Sequence, residues 1–107
     1  MSRTAFFCFK RELSQEAFND LVEAMVSQND ARFHLWGGSM RLGPRKVHVY
    51  GADTAAWTLV SIEVLADRAV LLVEGKNRPE TEQEIIDRFA SDLRRYLRQE
   101  ISVEVDE

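Results

Sequence analysis

The sequence predicts an α+β fold: a single antiparallel sheet, in β-α-β-β-β-β-α-β order, with two helices packed on one face. Three observations carry this prediction. Two stretches, 14–30 and 80–99, repeat apolar residues at helical spacing. Six shorter stretches are rich in aromatic or β-branched residues, most of them with a period of two. Four of those six lie between the helices, which suits a sheet covered on one side only.

At 107 residues the chain is read as one domain, 1–107, long enough for a single core. The first strand is TAFFCF, residues 4–9. Cys8 within it is expected to act as a small buried hydrophobe. Ser14 is a suitable N-cap for the first helix, and Leu13 can clasp Phe18 as a hydrophobic staple. Phe18, Leu21, Val22, Met25 and Val26 form its buried stripe, and Asn29-Asp30 ends it.

Residues 32–36 and 46–50 read as two strands of a hairpin, joined by a loop containing Gly37, Gly38 and Gly43. Alternation puts Phe33 and Leu35 on one face, with Val47 and Val49. His34, Trp36, His48 and Tyr50 take the other. His34 pairs with His48 in one register. In the register shifted by two, Trp36 meets His48 and His34 meets Tyr50.

Residues 57–65 form the longest strand candidate. Thr58, Val60, Ile62 and Val64 face the core, and Trp57, Leu59, Ser61 and Glu63 face away. Ala66-Asp67-Arg68 is a tight turn, and 69–74 returns beside it. Thr81 and Glu84 have capping-box spacing for the second helix. Its buried stripe is Ile85, Phe89, Leu93 and Leu97, with Ile86 and Tyr96 at the edges. Arg94, Arg95 and Arg98 suit its C-terminal dipole. Ile101, Val103 and Val105 alternate in a short last strand.

This order resembles the half-repeat of the TATA-binding-protein type, β-α-β4-α, with an added terminal strand. A ferredoxin-like βαββαβ with an inserted hairpin is the other arrangement. Both are fold analogies and imply no function.

The functional candidates gather in residues 31–52. This stretch carries Arg32, Arg41, Arg45 and Lys46 and no acid, in a chain whose net charge is −4. The expected binding residues are Arg41, Arg45, Lys46, His34, Trp36, His48, Tyr50 and Trp57. Tyr, Trp and Arg bury large areas while keeping a polar handle, so they suit a protein interface. The expected function is a small intracellular binding or regulatory module acting through protein–protein contact. Its partner would be a protein with an acidic surface, or a second copy of this chain. The alternative is a phosphate ligand or single-stranded nucleic acid, held by the Gly/Arg loop and stacked on the aromatic face. The loop lacks P-loop order and does not open a helix.

A small His-dependent enzyme is a third reading. No nucleophile motif, cofactor fingerprint or metal-ligand spacing accompanies the two histidines, so no catalysis, cofactor or metal is expected. The apolar run at the N-terminus is too short for a signal or spanning segment. The expectation is a cytoplasmic protein without membrane attachment.

Overall fold

The computed structural model describes residues 2–27, 33, 38–53, 58–75 and 78–106. The elements are β1 (Ser2–Phe9), α1 (Gln15–Val26), β2 (Ser39–Gly43), β3 (Lys46–Asp53), β4 (Thr58–Val64), β5 (Arg68–Gly75), α2 (Pro79–Leu97) and β6 (Ile101–Asp106). This is the predicted order. The six strands form one sheet in the order β2-β3-β4-β5-β1-β6, and every neighbouring pair is antiparallel.

Strands β2 to β5 form a meander, and β1 closes onto β5. Both β1 and β4 run antiparallel to β5, so they are parallel to each other with β5 between them. That is a split β-α-β arrangement. The β2–β3 hairpin extends it on one side and β6 on the other.

Period-two alternation sorts the side chains cleanly. Ala5, Phe7 and Phe9 of β1, Val47 and Val49 of β3, and Val60, Ile62 and Val64 of β4 are buried. Ala69, Leu71 and Val73 of β5 join them. One continuous cluster unites these with Phe18, Leu21, Val22 and Met25 of α1 and Ile86, Phe89, Ala90 and Leu93 of α2. Both helices therefore cover the same face. Phe7 meets Phe89 edge-on, with ring centroids 5.0 Å apart.

Helix α1 starts as expected: the Ser14 side chain accepts a hydrogen bond from the Ala17 backbone N–H at 3.1 Å, and Leu13 and Phe18 are both buried. It ends at Val26 with Ser27 as C-cap. Asn29-Asp30, the expected stop, lies outside the described residues.

The start of α2 differs from the sequence reading. Thr81 sits inside the helix, and the N-cap is Arg78, which makes no side-chain capping bond. Pro79 takes the first helical position, where its missing N–H costs nothing and its fixed φ suits the helix. Ile86 belongs to the centre of the buried stripe, while Ile85 and Leu97 are half-buried at its border. The helix closes on Arg98 in the left-handed region, φ 53°.

Glu82 was not singled out as a core residue, yet it is 1% exposed, and among the described residues its Oε2 has no hydrogen-bond partner. It lies in the first turn of α2, where the helix dipole favours a negative charge. A buried carboxyl oxygen without a partner carries a desolvation cost. Replacing it by an apolar side chain of similar length, Glu82→Met, is expected to raise stability by about 1–3 kcal/mol. A higher urea midpoint at unchanged m-value would register this, and a lower midpoint would refute it.

Candidate functional site

With both helices on one side, the opposite face of the sheet is crossed by no described element. We call it the open face. Its residues follow from the register. Met40 of β2 stands opposite His48 of β3, which stands opposite Glu63 of β4. The same row continues through Val70, Phe6 and Glu104. The next row runs Tyr50, Ser61, Leu72, Thr4 and Asp106.

The hairpin at one edge differs from the sequence expectation. The strand pairing with β3 is Ser39–Gly43, which had been assigned to the loop, and the turn is only Pro44-Arg45. A register shift between Arg41 and Gly43 precedes the turn. Pro44 lacks an N–H for the ladder and has a preset φ that suits a turn position, so the strand stops there. Of the strand expected at 32–36, only Phe33 is described. It is in no strand, is 4% exposed, and packs on Tyr96 with ring centroids 5.5 Å apart.

His48 therefore has Met40 and Glu63 as cross-strand neighbours. His34, Trp36 and Trp57 lie outside the described residues.

The remaining predicted residues separate onto two sides. Lys46, His48 and Tyr50 belong to the open face. The Nε2 of His48 donates to Oε2 of Glu63 at 2.9 Å, and Lys46 Nζ lies 3.3 Å from the other carboxylate oxygen. The hydrogen bond from His48 is the main reason the Glu63 carboxyl sits below its ordinary pKa. Partial burial opposes it and Lys46 adds to it. Tyr50 meets His48 edge-on, with ring centroids 6.2 Å apart.

Arg41 and Arg45 bind back to α1. Arg41 pairs across the ladder with the buried Val47, so it shares the helix-covered side. It donates to Asn19 Oδ1 at 3.2 Å and to the Pro44 carbonyl at 3.3 Å. Arg45 donates to Glu12 at 2.6 Å and to the Leu13 carbonyl at 2.6 Å. Gln15 holds the same turn through the Pro44 carbonyl at 2.6 Å. The basic residues thus act as ties between the hairpin turn and the start of α1.

The sequence reading missed Met40 and Leu42 as site residues and placed Leu59 on this face without giving it a role. These three and Tyr50 are the exposed large hydrophobics among the described residues, at 54%, 48%, 46% and 37%. They occupy β2, β4 and β3, three adjacent strands. The alternation of SMRLG, apolar at positions 40 and 42 around Arg41, was the available signal. The flanking glycines and proline obscured it.

A cleft of about 800 Å³ lies where β1 ends and β6 begins, lined by Cys8, Lys10, Arg94, Arg98 and neighbouring residues. Among the described residues no group of three or more His, Cys, Asp or Glu side chains could hold a metal ion, and no helix is long and apolar enough to cross a membrane.

No protein-family model matches the chain, and no curated protein does. Among solved structures it is similar to PA4090 from Pseudomonas aeruginosa, determined by NMR. The TM-score is 0.55 at 13% sequence identity, over 99% of this chain and 96% of that one. At such identity the likeness shows the fold alone.

Proposed function

We propose that this protein is a small binding module that works through protein–protein contact, using the open face at its β2–β4 end. The observation that carries the reading is the clustering of Met40, Tyr50 and Leu59 on one face of three adjacent strands, with Leu42 exposed beside them at the hairpin end. Scattered exposed apolar residues need no explanation, but a contiguous patch does, because its removal from water drives association. His48 and Lys46 add polar groups at its border, already oriented by Glu63.

The electrostatics shift the expected partner. An acidic partner was expected on the strength of Arg41, Arg45 and Lys46. Arg45 and Lys46 already have carboxylate partners, and Arg41 is held by Asn19 and Pro44. The apolar patch therefore sets the chemistry of the contact. A phosphate or nucleic-acid ligand would have to compete with these internal ties. We further propose a cytoplasmic location, a reducing compartment in which a lone cysteine stays a thiol.

The test uses the purified chain and the double variant Met40→Glu/Leu59→Glu as baits in native lysate, with and without nuclease, alongside sedimentation of both. Both positions are exposed, so the variant is expected to keep its circular dichroism spectrum. The wild type is expected to retain a protein, or to self-associate, and the variant to lose that contact. A wild type that stays monomeric and captures no protein that the variant loses would overturn the reading. So would capture that disappears with nuclease.

A further inference from the structure

Resting on that reading, we infer that the partner of the open face is a second copy of this chain, packed face to face with its strands running in the opposite direction. The argument comes from β5, one of the two middle strands of the sheet. Ala69, Leu71 and Val73 point into the core, so Arg68, Val70, Leu72 and Glu74 point to the open face. Read along the strand, this is cation, apolar, apolar, anion. Such a pattern is its own complement when reversed.

A two-fold axis in the plane of the face, perpendicular to the strands and passing at Leu71, lays β5 over its own symmetry mate. Arg68, already paired with Asp67 of its own chain at 3.0 Å, then also faces Glu74 of the partner subunit, and Val70 meets Leu72 of the partner subunit. Each contact occurs twice, as in any isologous interface.

The flanking strands obey the same operation. Leu71 is in register with Ala5 of β1 and Ile62 of β4, and Ile62 with Val49 of β3. The axis therefore sets Thr4 against Phe6, Ser61 against Glu63 and His48 against Tyr50 across the interface. The Phe6 ring meets the methyl-bearing Thr4, the Glu63 carboxylate meets the Ser61 hydroxyl, and the His48 imidazole meets the Tyr50 ring. An axis parallel to the strands through the middle of the sheet, between β4 and β5, would instead lay β5 over β4, which puts Val70 against Glu63 and Glu74 against Leu59. Both of those contacts bury a charge on an apolar group, so the perpendicular axis is preferred.

The β6 side chains Glu104 and Asp106 would face like charges. They stand on the outermost strand, where sheets crossing at about 30° carry their corners apart.

The size is adequate. Six strands at about 4.8 Å spacing and about 20 Å long give a face on the order of 500 Å² in plan. Side-chain relief takes the accessible area towards the roughly 800 Å² per partner of a standard interface.

The experiment is sedimentation equilibrium on the full chain, on Arg68→Glu, on Glu74→Arg, on the two variants mixed in equal amounts, and on the double variant carrying both. The wild type is expected to dimerise. Each single reversal sets like charges against each other twice and should weaken self-association at least about tenfold. The mixture and the double variant restore opposite charges and should recover the dimer. Thermal melts of every variant separate loss of association from loss of fold, and recovery in the mixture cannot arise from misfolding.

A wild type that is monomeric at high micromolar concentration would overturn this inference. The lysate capture would still decide the broader reading. A wild-type dimer indifferent to both reversals, or one not recovered in the mixture, would overturn the β5-centred geometry.

Discussion

Phe7→Ala is expected to lower the unfolding free energy by about 3–5 kcal/mol, the range for deleting a buried aromatic side chain. Phe7 has no exposure and lies on β1, between β5 and β6. Its ring meets Phe89 at 5.0 Å and 87°, which couples the sheet to α2. Truncation removes that edge-on contact and leaves a cavity that the surrounding strands and helix can close only in part. Against a typical domain stability of about 5–15 kcal/mol, a loss of this size leaves a marginal protein. Urea denaturation measures it, with Phe6→Ala as the control. Phe6 is adjacent in sequence but points to the open face, where it is only half-buried. The control is expected to lose clearly less stability. Equal losses would mean that the two faces are not distinguished as described.

Reversing Arg41, Arg45 and Lys46 together to Glu is expected to destabilise the fold by about 2–3 kcal/mol, through lost charge-assisted hydrogen bonds and new like-charge contacts. From the sequence these residues form a free basic tip, and their reversal would abolish partner binding while leaving the fold intact. The structure changes that expectation. A glutamate at position 45 would face Glu12, whose carboxylate now lies 2.6 Å from the guanidinium, and would leave the Leu13 carbonyl without its donor. A glutamate at position 46 would face Glu63. Partial solvent exposure screens these terms, which is why the expected loss is modest for three reversals. For a domain of this size it corresponds to a fall in melting temperature of about 10 °C or more. An unchanged melting temperature would show that the ties to α1 contribute nothing and would restore the tip as a free recognition element.

Much of the fold was legible because its determinants are local. The staple of Leu13 and Phe18 around Ser14, the alternation of VSIEV, and the apolar spacing of Phe89 and Leu93 each need only a few neighbouring residues to be read. The hairpin was read less well. Glycine and proline in GGSMRLGP suggested a long loop, yet five of those residues extend beside β3. Ladder hydrogen bonds and the packing of Val47 and Val49 outweighed the local preference for turns. At α2, Thr81 and Glu84 offered a plausible capping box, but Pro79 could begin the helix three residues earlier than that box implies.

The same division holds for the candidate site. By itself the sequence determined that His48 and Tyr50 share a face opposite Val47 and Val49, because side chains on a strand alternate whatever the strand pairs with. It also determined that Leu59, Ser61 and Glu63 oppose Val60, Ile62 and Val64. Only the tertiary structure decided what stands beside them. Met40 and Glu63 flank His48 because β2 and β4 flank β3, and Arg45 is tied to Glu12 across 33 residues of chain. Periodicity carries no information about partners so distant in sequence. Those partners turned the basic tip into an internal brace, and the same strand order brought the exposed apolar side chains of β2, β3 and β4 onto adjacent strands.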